Sequence, residues 1–376
     1  MMRTHQPTGT LTSLEAALAA LLEGVGPVAS RLVPLEEALG RVAAGTPPVA
    51  SPLPPRDTAA IDGWACRALD LVGASGYSPV ALPAAPAWVE AGDAMPQGCD
   101  CVLHVDLIDC DGPLSFAVGE AAPGQGVRRV GEDMAAHRPP VVEGEVIGAA
   151  DLLVARKMRL SELAVRSPRV RVIDVAAANG ETFSARFIAE SVAASNATVT
   201  AIETVTRDAA SVTAALAGEA CDLLLLVGGT GDGRTDMTAR ALAQGGVLVA
   251  HRVAVRAGET TAIGRLGSTP LVALAGLPDH VFAGFLAFVQ PALDRLSGRA
   301  RRVSLTLPIA RKIASRVGLA EIVLLAREKD NWVPLAVGDL SLEAMRLADA
   351  WLAVPGDSEG YAAGTPVAAT LLRSPN

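Results

Sequence analysis

Aromatic residues make up only 3% of this 376-residue chain. Its cores therefore cannot rest on stacked rings and must be built from Ala, Leu and Val, which the half of the composition that is apolar supplies in plenty. Positive charge is in deficit, with a formal net charge of −8 and a pI near 5.3. That balance argues against a general binder of nucleic acid or of an anionic membrane, so an anionic ligand would need local arginine clusters. Cysteine is scarce, at five residues: Cys66, Cys99, Cys101, Cys110 and Cys221. Cys99-x-Cys101 lacks a matching second pair, so these thiols read as small core residues rather than zinc ligands. No apolar run reaches the roughly 18 residues of a membrane-spanning helix. Glu15 interrupts the apolar run near the N-terminus, which argues against a signal peptide and for a reduced, cytoplasmic protein. A G-x-G-x-x-G dinucleotide fingerprint is also missing. His251 and His280 have no Ser or Cys nucleophile motif beside them, so triad chemistry has no support.

What the chain does have is concentrated in Asp222 to Ala243, DLLLLVGGTGDGRTDMTARALA. The short apolar run Leu223 to Val227 predicts a strand buried on both faces, as in a parallel sheet. It ends at Gly228, Gly229, Thr230, Gly231, Asp232 and Gly233, where a backbone without side chains can turn sharply and approach a ligand. Thr235 or Asp236 is placed to cap a following helix that carries Met237, Ala241 and Leu242 on one side. A glycine loop between a strand's carboxyl end and a helix N-terminus is an anion site in open α/β sheets. Asp232 and Asp236 would repel a phosphate there unless a cation such as Mg²⁺ lies between them or the carboxylate addresses a hydroxyl. The residues thus point to a phosphorylated ligand with a metal.

The length predicts two to four domains. Ser13 is positioned to cap a helix with Leu14, Ala17, Leu18 and Leu21 on one face, and that face is available to a partner. Residues 34–40 predict a short second helix, and prolines crowd residues 46–55 at a boundary. Short apolar runs from Val80 to Val118, separated by Gly, Pro and Asp, predict a compact β domain. Val127 to Asp133, VRRVGED, places Arg128 and Arg129 before a carboxylate pair. From Ser167 strands alternate with helices: a strand at 170–175, a helix at 185–194, a strand at 198–205 and a helix at about 209–217. A strand from Val247 to Val255 would place Arg252 and Arg256, four apart, on one face. A helix over 281–296 follows Gly276-Leu277-Pro278-Asp279-His280. This alternation indicates a doubly wound parallel sheet. Beyond Arg301 strand periodicity returns, indicating a small C-terminal β domain.

The segments DTAAIDGWA, AGDAMPQGCDCVL, VRRVGEDM, TVTRDAASV, LLVGGTGDGRTDMTARAL, AGLPDHVFAGFLAF and GDLSLEAMRLADAWLAVPGDSEGYAAGTPV follow one another as in the molybdopterin molybdotransferases. From about Leu11 to Leu372 the chain resembles this family, which includes MoeA and the gephyrin E-domain. The resemblance implies a multidomain α/β plus β protein. Its expected parts are an elongated N-terminal domain split over 10–46 and 140–166, an inserted β-rich domain over 47–139, a doubly wound parallel-sheet molybdopterin-binding domain over 167–300, and a C-terminal small β domain over 301–376. It implies an enzyme of molybdenum-cofactor biosynthesis that inserts molybdenum from molybdate into adenylated molybdopterin with Mg²⁺, releasing AMP. The family's members are elongated homodimers whose cleft lies between subunits. A molybdoenzyme that receives the cofactor and an upstream adenylyltransferase are the protein partners such an enzyme would have.

Carried over by motif, the family's catalytic aspartates fall on Asp62, Asp133 and Asp236, with Asp62 and Asp236 as metal ligands. Substrate binding falls on Gly228, Gly229, Gly231, Gly233, Asp208 and Pro278, and two family lysines correspond to Arg252 and Arg256. The pattern also departs from the family. After Val175 a Ser-Thr-Gly-Asp-Glu-Leu loop is replaced by Ala176-Ala177-Ala178, and a Gly-Leu-Pro-Gly-Asn-Pro segment becomes Gly276-Leu277-Pro278-Asp279-His280-Val281. A non-catalytic protein that binds, delivers or senses the molybdenum cofactor is therefore the alternative to an active enzyme.

Overall fold

The computed structural model describes residues 11–48, 50–110, 112, 114–176, 180 and 182–372. Ala177 and Ala178 of the altered loop lie outside them. The chain divides into two compact units. The larger comprises Met1–Gly45, Glu143–Ala149 and Glu162–Asn376, the smaller Thr46–Val142 and Ala150–Ser161.

The large unit begins with helix α1 (Leu14–Leu22). The Ser13 hydroxyl accepts a hydrogen bond from the Ala16 amide at 3.1 Å, satisfying one of the helix's unpaired donors. Ser13→Ala should therefore lower unfolding free energy by about 1 kcal/mol, a shift readable as a lower urea midpoint at unchanged slope. Leu14, Ala17 and Leu21 are buried in the large unit's own core, among Val253, Val272 and Leu274. The apolar face expected to meet a partner is therefore already covered by the chain itself.

Six strands form the sheet that carries the glycine loop. In chain order the elements of this segment, of which β5 lies outside that sheet, are β1 (Arg169–Val175), α2 (Phe183–Ala194), β2 (Thr198–Val205), α3 (Ala209–Leu216), β3 (Leu223–Val227), α4 (Thr238–Gln244), β4 (Leu248–His251), β5 (Val253–Arg256), β6 (Ala262–Leu266) and β7 (Thr269–Leu274). The spatial order is β2-β1-β3-β7-β6-β4. The first four of these are parallel, β6 runs antiparallel to β7, and β4 at the edge runs antiparallel to β6. All five residues of β3 are buried, because helices cover both faces of this central strand. Leu223, Leu225 and Val227 pack with Ile188 and Val192 of α2. Leu224 and Leu226 face the other way, onto Val212 of α3 and Leu242 of α4. Side-chain alternation along one strand thus links two cores and makes the sheet doubly wound.

The single strand expected over Val247–Val255 is broken at Arg252, which adopts φ +63°. Strand β4 before it joins the α/β sheet. Strand β5 after it pairs in parallel with β9 (Ala320–Glu328, where β8 is Ser304–Pro308) of a second sheet. The apolar alternation serves two cores in turn, and a left-handed residue is what redirects the chain between them. This second sheet of seven strands contains most of the C-terminal segment, and it is extended by β5 and by Thr12–Ser13. The helix expected over 281–296 starts at Pro278. It runs as Pro278–Gly284, a π-turn over Phe285–Val289 and Gln290–Ser297, ending at Gly298.

In the small unit short strands dominate, as the alternating pattern predicted. Gly63–Cys66 pairs with Ala87–Val89 and Cys101–Leu103, and Val127–Arg128 pairs with Thr58–Ala59. Cys66 and Cys101 are buried across from each other. Burial pushes the Cys66 thiol up to about 12 and the Cys101 thiol to about 11, which fits thiols serving as apolar filler.

Candidate functional site

At the carboxyl ends of β1, β3 and β7 lies a cavity of about 470 Å³. Its wall includes Gly228, Gly229, Thr230, Gly231 and Asp236 from the glycine loop, and Gly276, Leu277, Pro278 and His280 from the turn before the long helix. Gly228, Gly229 and Gly231 thus meet Pro278 in one place, while Gly233 is not among the lining residues. Gly228 has φ +100°, its amide donates to the Leu274 carbonyl at 2.9 Å, and its carbonyl accepts from Thr238 Oγ1 at 2.8 Å. Gly233 donates to Asp236 Oδ2 at 3.2 Å. Among the described residues the amides of Gly229, Thr230 and Gly231 have no backbone acceptor.

Neither Thr235 nor Asp236 caps the following helix. Helix α4 starts at Thr238, and Met237 precedes it without a side-chain cap. Asp236 instead turns into the loop, where Oδ2 holds Gly233 and Oδ1 lies 3.3 Å from Arg207 Nη1. This ion pair bears on the expected metal. Asp62, the other expected ligand, belongs to the small unit, and the described residues contain no group of three or more His, Cys, Asp or Glu able to hold an ion. A carboxylate already neutralised by a guanidinium is a poor start for a magnesium site, so the large unit's cavity does not fit that ion.

Asp208 is a helix cap. Its carboxylate accepts from the Ser211 amide at 2.8 Å, from Thr206 Oγ1 at 2.5 Å and from Ser211 Oγ at 2.8 Å. These donors, Thr206 first, lower its pKa to about 2. Because the folded pKa is lowered, this cap is intact at neutral pH and weakens as acid is added toward that value. The contacts of Asp208 within the chain are those of a cap.

Arg252 and Arg256 do not share the face of one strand. Arg252 is ion-paired with Asp232 and Glu259, and Arg256 with Asp339 and Glu321. Their charges are balanced within the chain, so the free basic pair expected from the sequence is not formed.

In the small unit Asp62 Oδ1 accepts from the Ala91 amide at 2.7 Å, fixing a turn. Gly63 beside it must be glycine, since a Cβ there would lie 2.0 Å from the Leu103 carbonyl oxygen. Asp133 pairs with Arg128 at 3.3 Å, and both line a cavity of about 180 Å³ together with Lys157.

The sequence reading overlooked two residues of the larger cavity. Asp174, the sixth residue of β1, is buried, and its Oδ2 has no hydrogen-bond partner among the described residues. Burial pushes its pKa up, against a hydrogen bond from Thr204 that pulls it down. Arg207 also lines the cavity, and its Nε is buried with no hydrogen-bond partner among the described residues. A lone carboxylate in the otherwise buried strand RVRVIDV, at the end where open α/β sheets bind ligands, was the available signal.

A doubly wound sheet with a glycine loop and a cavity at its carboxyl edge has the form in which open α/β sheets hold anionic ligands. The comparisons give that class a family. Residues 12–158 match the model described as "MoeA N-terminal region (domain I and II)", and residues 175–295 match the "Probable molybdopterin binding domain". The chain is 30% identical over 281 residues to molybdopterin molybdenumtransferase 2 of Mycobacterium tuberculosis, covering 64% of this chain and 69% of that protein. It is 27% identical over 399 residues to the molybdopterin molybdenumtransferase of Synechococcus elongatus, covering 95% and 98%. The crystal structure of a molybdopterin biosynthesis MoeA protein from Pyrococcus horikoshii shares the fold, with a TM-score of 0.78 over 96% of this chain and 100% of that one, at 24% identity. The chain belongs to the MoeA family.

Proposed function

We propose that this chain inserts molybdenum from molybdate into adenylated molybdopterin, with release of AMP, in the biosynthesis of the molybdenum cofactor. The observation that carries the reading is the cavity of about 470 Å³ at the glycine loop, inside the segment matched by the molybdopterin-binding model. Three amides without a backbone acceptor, at Gly229, Thr230 and Gly231, suit a phosphate. Arg207, held by Asp236, adds a positive charge beside them. Gly276, Leu277 and Pro278 also line the cavity. Magnesium enters no step of this proposal, because the residues of the cavity do not fit it. Asp62 and Asp133 are assigned to catalysis on the family resemblance, as parts of the small unit. The same resemblance supports a cytoplasmic homodimer. No helix among the described residues is long and apolar enough to cross a membrane.

The full chain, incubated with adenylated molybdopterin and molybdate, should release AMP and form the molybdenum-bearing cofactor. Asp236→Asn keeps the side chain's shape while removing the charge that positions Arg207, and should lower that rate by at least about tenfold. A second reading is favoured by the internal pairing of Arg252 and Arg256, which leaves neither arginine free to attract molybdate. On that reading the chain binds, delivers or senses the cofactor without making it. Tight binding of adenylated molybdopterin without any AMP release would select it. Sedimentation as a monomer at micromolar concentration would count against the homodimer.

A further inference from the structure

One end of the large cavity has a chemistry that a phosphate does not need. Asp174 lies in register between Thr204 of β2 and Val227 of β3, so its side chain is flanked on both sides by the sheet. The residue is only 4% exposed, yet Oδ2 has no hydrogen-bond partner among the described residues. The same holds for Arg207 Nε, and no ion pair between the two is formed among the described residues. A buried acceptor and a buried donor left open are costly unless something binds them. Both residues line one cavity whose other walls include Val175, Val227, Ala185 and Ala275. Phe183 and Leu277 also line it and are 68% and 61% exposed, apolar surface suited to the face of a flat ring.

We propose that Asp174 and Arg207 read the edge of a 2-amino-4-oxopyrimidine ring, with the Asp174 carboxylate accepting the ring N–H and the 2-amino group while Arg207 donates to the ring oxygen. The inference rests on the molybdopterin reading of this cavity, and it makes Asp174 a specificity-determining residue. A carboxylate can accept two adjacent N–H donors at once, which matches this edge. An edge with an oxygen in place of the amino group would set a carbonyl against the carboxylate. An edge lacking the amino group would leave one oxygen of this buried carboxylate unpaired, the situation that gives hydrogen-bonding pockets their discrimination. Burial pushes the Asp174 carboxyl toward its neutral form, and a ligand supplying N–H donors would offset that. Pterins and guanine nucleotides both present this edge.

The test uses the full chain and four soluble probes in two pairs, with affinities measured by titration calorimetry. The first pair is 6-hydroxymethylpterin and its lumazine counterpart, which carries oxygen in place of the 2-amino group. The second is GMP and IMP, which differ by the 2-amino group alone. A preference of at least about tenfold for the amino-bearing member of the first pair, lost in Asp174→Asn, supports the proposal and identifies the ring as a pterin. The same pattern in the second pair alone supports the edge recognition and identifies guanine as its source. Binding without preference in either pair, or a preference that survives Asp174→Asn, overturns the inference. So does failure to bind any probe by a chain that still binds adenylated molybdopterin. These outcomes leave the proposed function standing. A chain that does not bind adenylated molybdopterin ends both readings. The wild-type preferences are informative by themselves, and Asp174→Asn removes a buried charge at constant shape, so folding is not at risk.

Discussion

Gly228→Ala is expected to lower the unfolding free energy by about 2–4 kcal/mol and to abolish ligand binding at the cavity. Two costs add at this position. With φ at +100° the backbone occupies a region that an L side chain rarely adopts, and an added Cβ would sit 2.7 Å from the Val175 carbonyl oxygen. That oxygen belongs to the end of β1 and cannot swing aside as a side chain would. The loop cannot yield either, since the Gly228 amide is bound to Leu274 and its carbonyl to Thr238. Gly267 supplies the control. Its φ is +60°, but nothing lies within 4 Å of a Cβ there, so Gly267→Ala should cost only the backbone term, about 1 kcal/mol. Urea unfolding of both variants at unchanged slope compares the two costs directly. Equal midpoints for the two would show that the close approach at Val175 is not what requires glycine at 228.

Loop and strand were legible in the sequence for the same reason that this prediction is sharp: Leu223–Val227 and the glycines after it depend on local rules. A five-residue apolar run covered on both faces admits few readings, and the strand has the bounds its sequence suggested. Thr198–Val205 and the helix beginning at Ala209 were legible in the same way. What pattern alone could not give was the destination of each strand. Periodicity around Arg252 is continuous, yet β4 and β5 belong to different sheets, because the alternation records only that a side chain is buried and not which core buries it. The candidate site shows the same division. Gly228, Gly229, Gly231 and Pro278 were found because a motif marks them, and they do meet. Asp208 was given a ligand role, although Asp followed by Ser three residues later is also a cap sequence, and the cap is what forms. Asp174 was missed because a single carboxylate in a strand carries no motif. Only the finding that it is buried, and that one of its oxygens has no partner, gives it meaning.

Arg256 yields the second large effect, and one opposite in kind to that of a surface anion site. Strand β5 brings Arg256 into register with Glu321 of β9, which is only 3% exposed. Arg256 Nη1 lies 3.8 Å from Glu321 Oε1, while Nε and Nη2 grip Asp339 at 3.0 and 2.5 Å. Besides this guanidinium, Glu321 accepts a hydrogen bond from the Arg316 amide at 3.2 Å. Arg256→Gln would leave a buried carboxylate without its counter-charge, at a cost of about 1–3 kcal/mol. Arg256→Lys should recover only part of that loss, since an ammonium cannot hold two oxygens of Asp339 in a planar fork while facing Glu321. Arg252 is the comparison. Its contacts with Asp232 and Glu259 join side chains that are 38%, 69% and 46% exposed, so Arg252→Gln should cost less than about 1 kcal/mol. Two arginines that the sequence presents as an equivalent pair should therefore separate in urea unfolding. If both substitutions cost equally little, Arg256 does not neutralise Glu321 in solution, and its guanidinium is again a candidate for an anionic substrate. If Arg256→Gln alone is strongly destabilising, that guanidinium is a staple between β5 and β9, and molybdate must be drawn in by other charges.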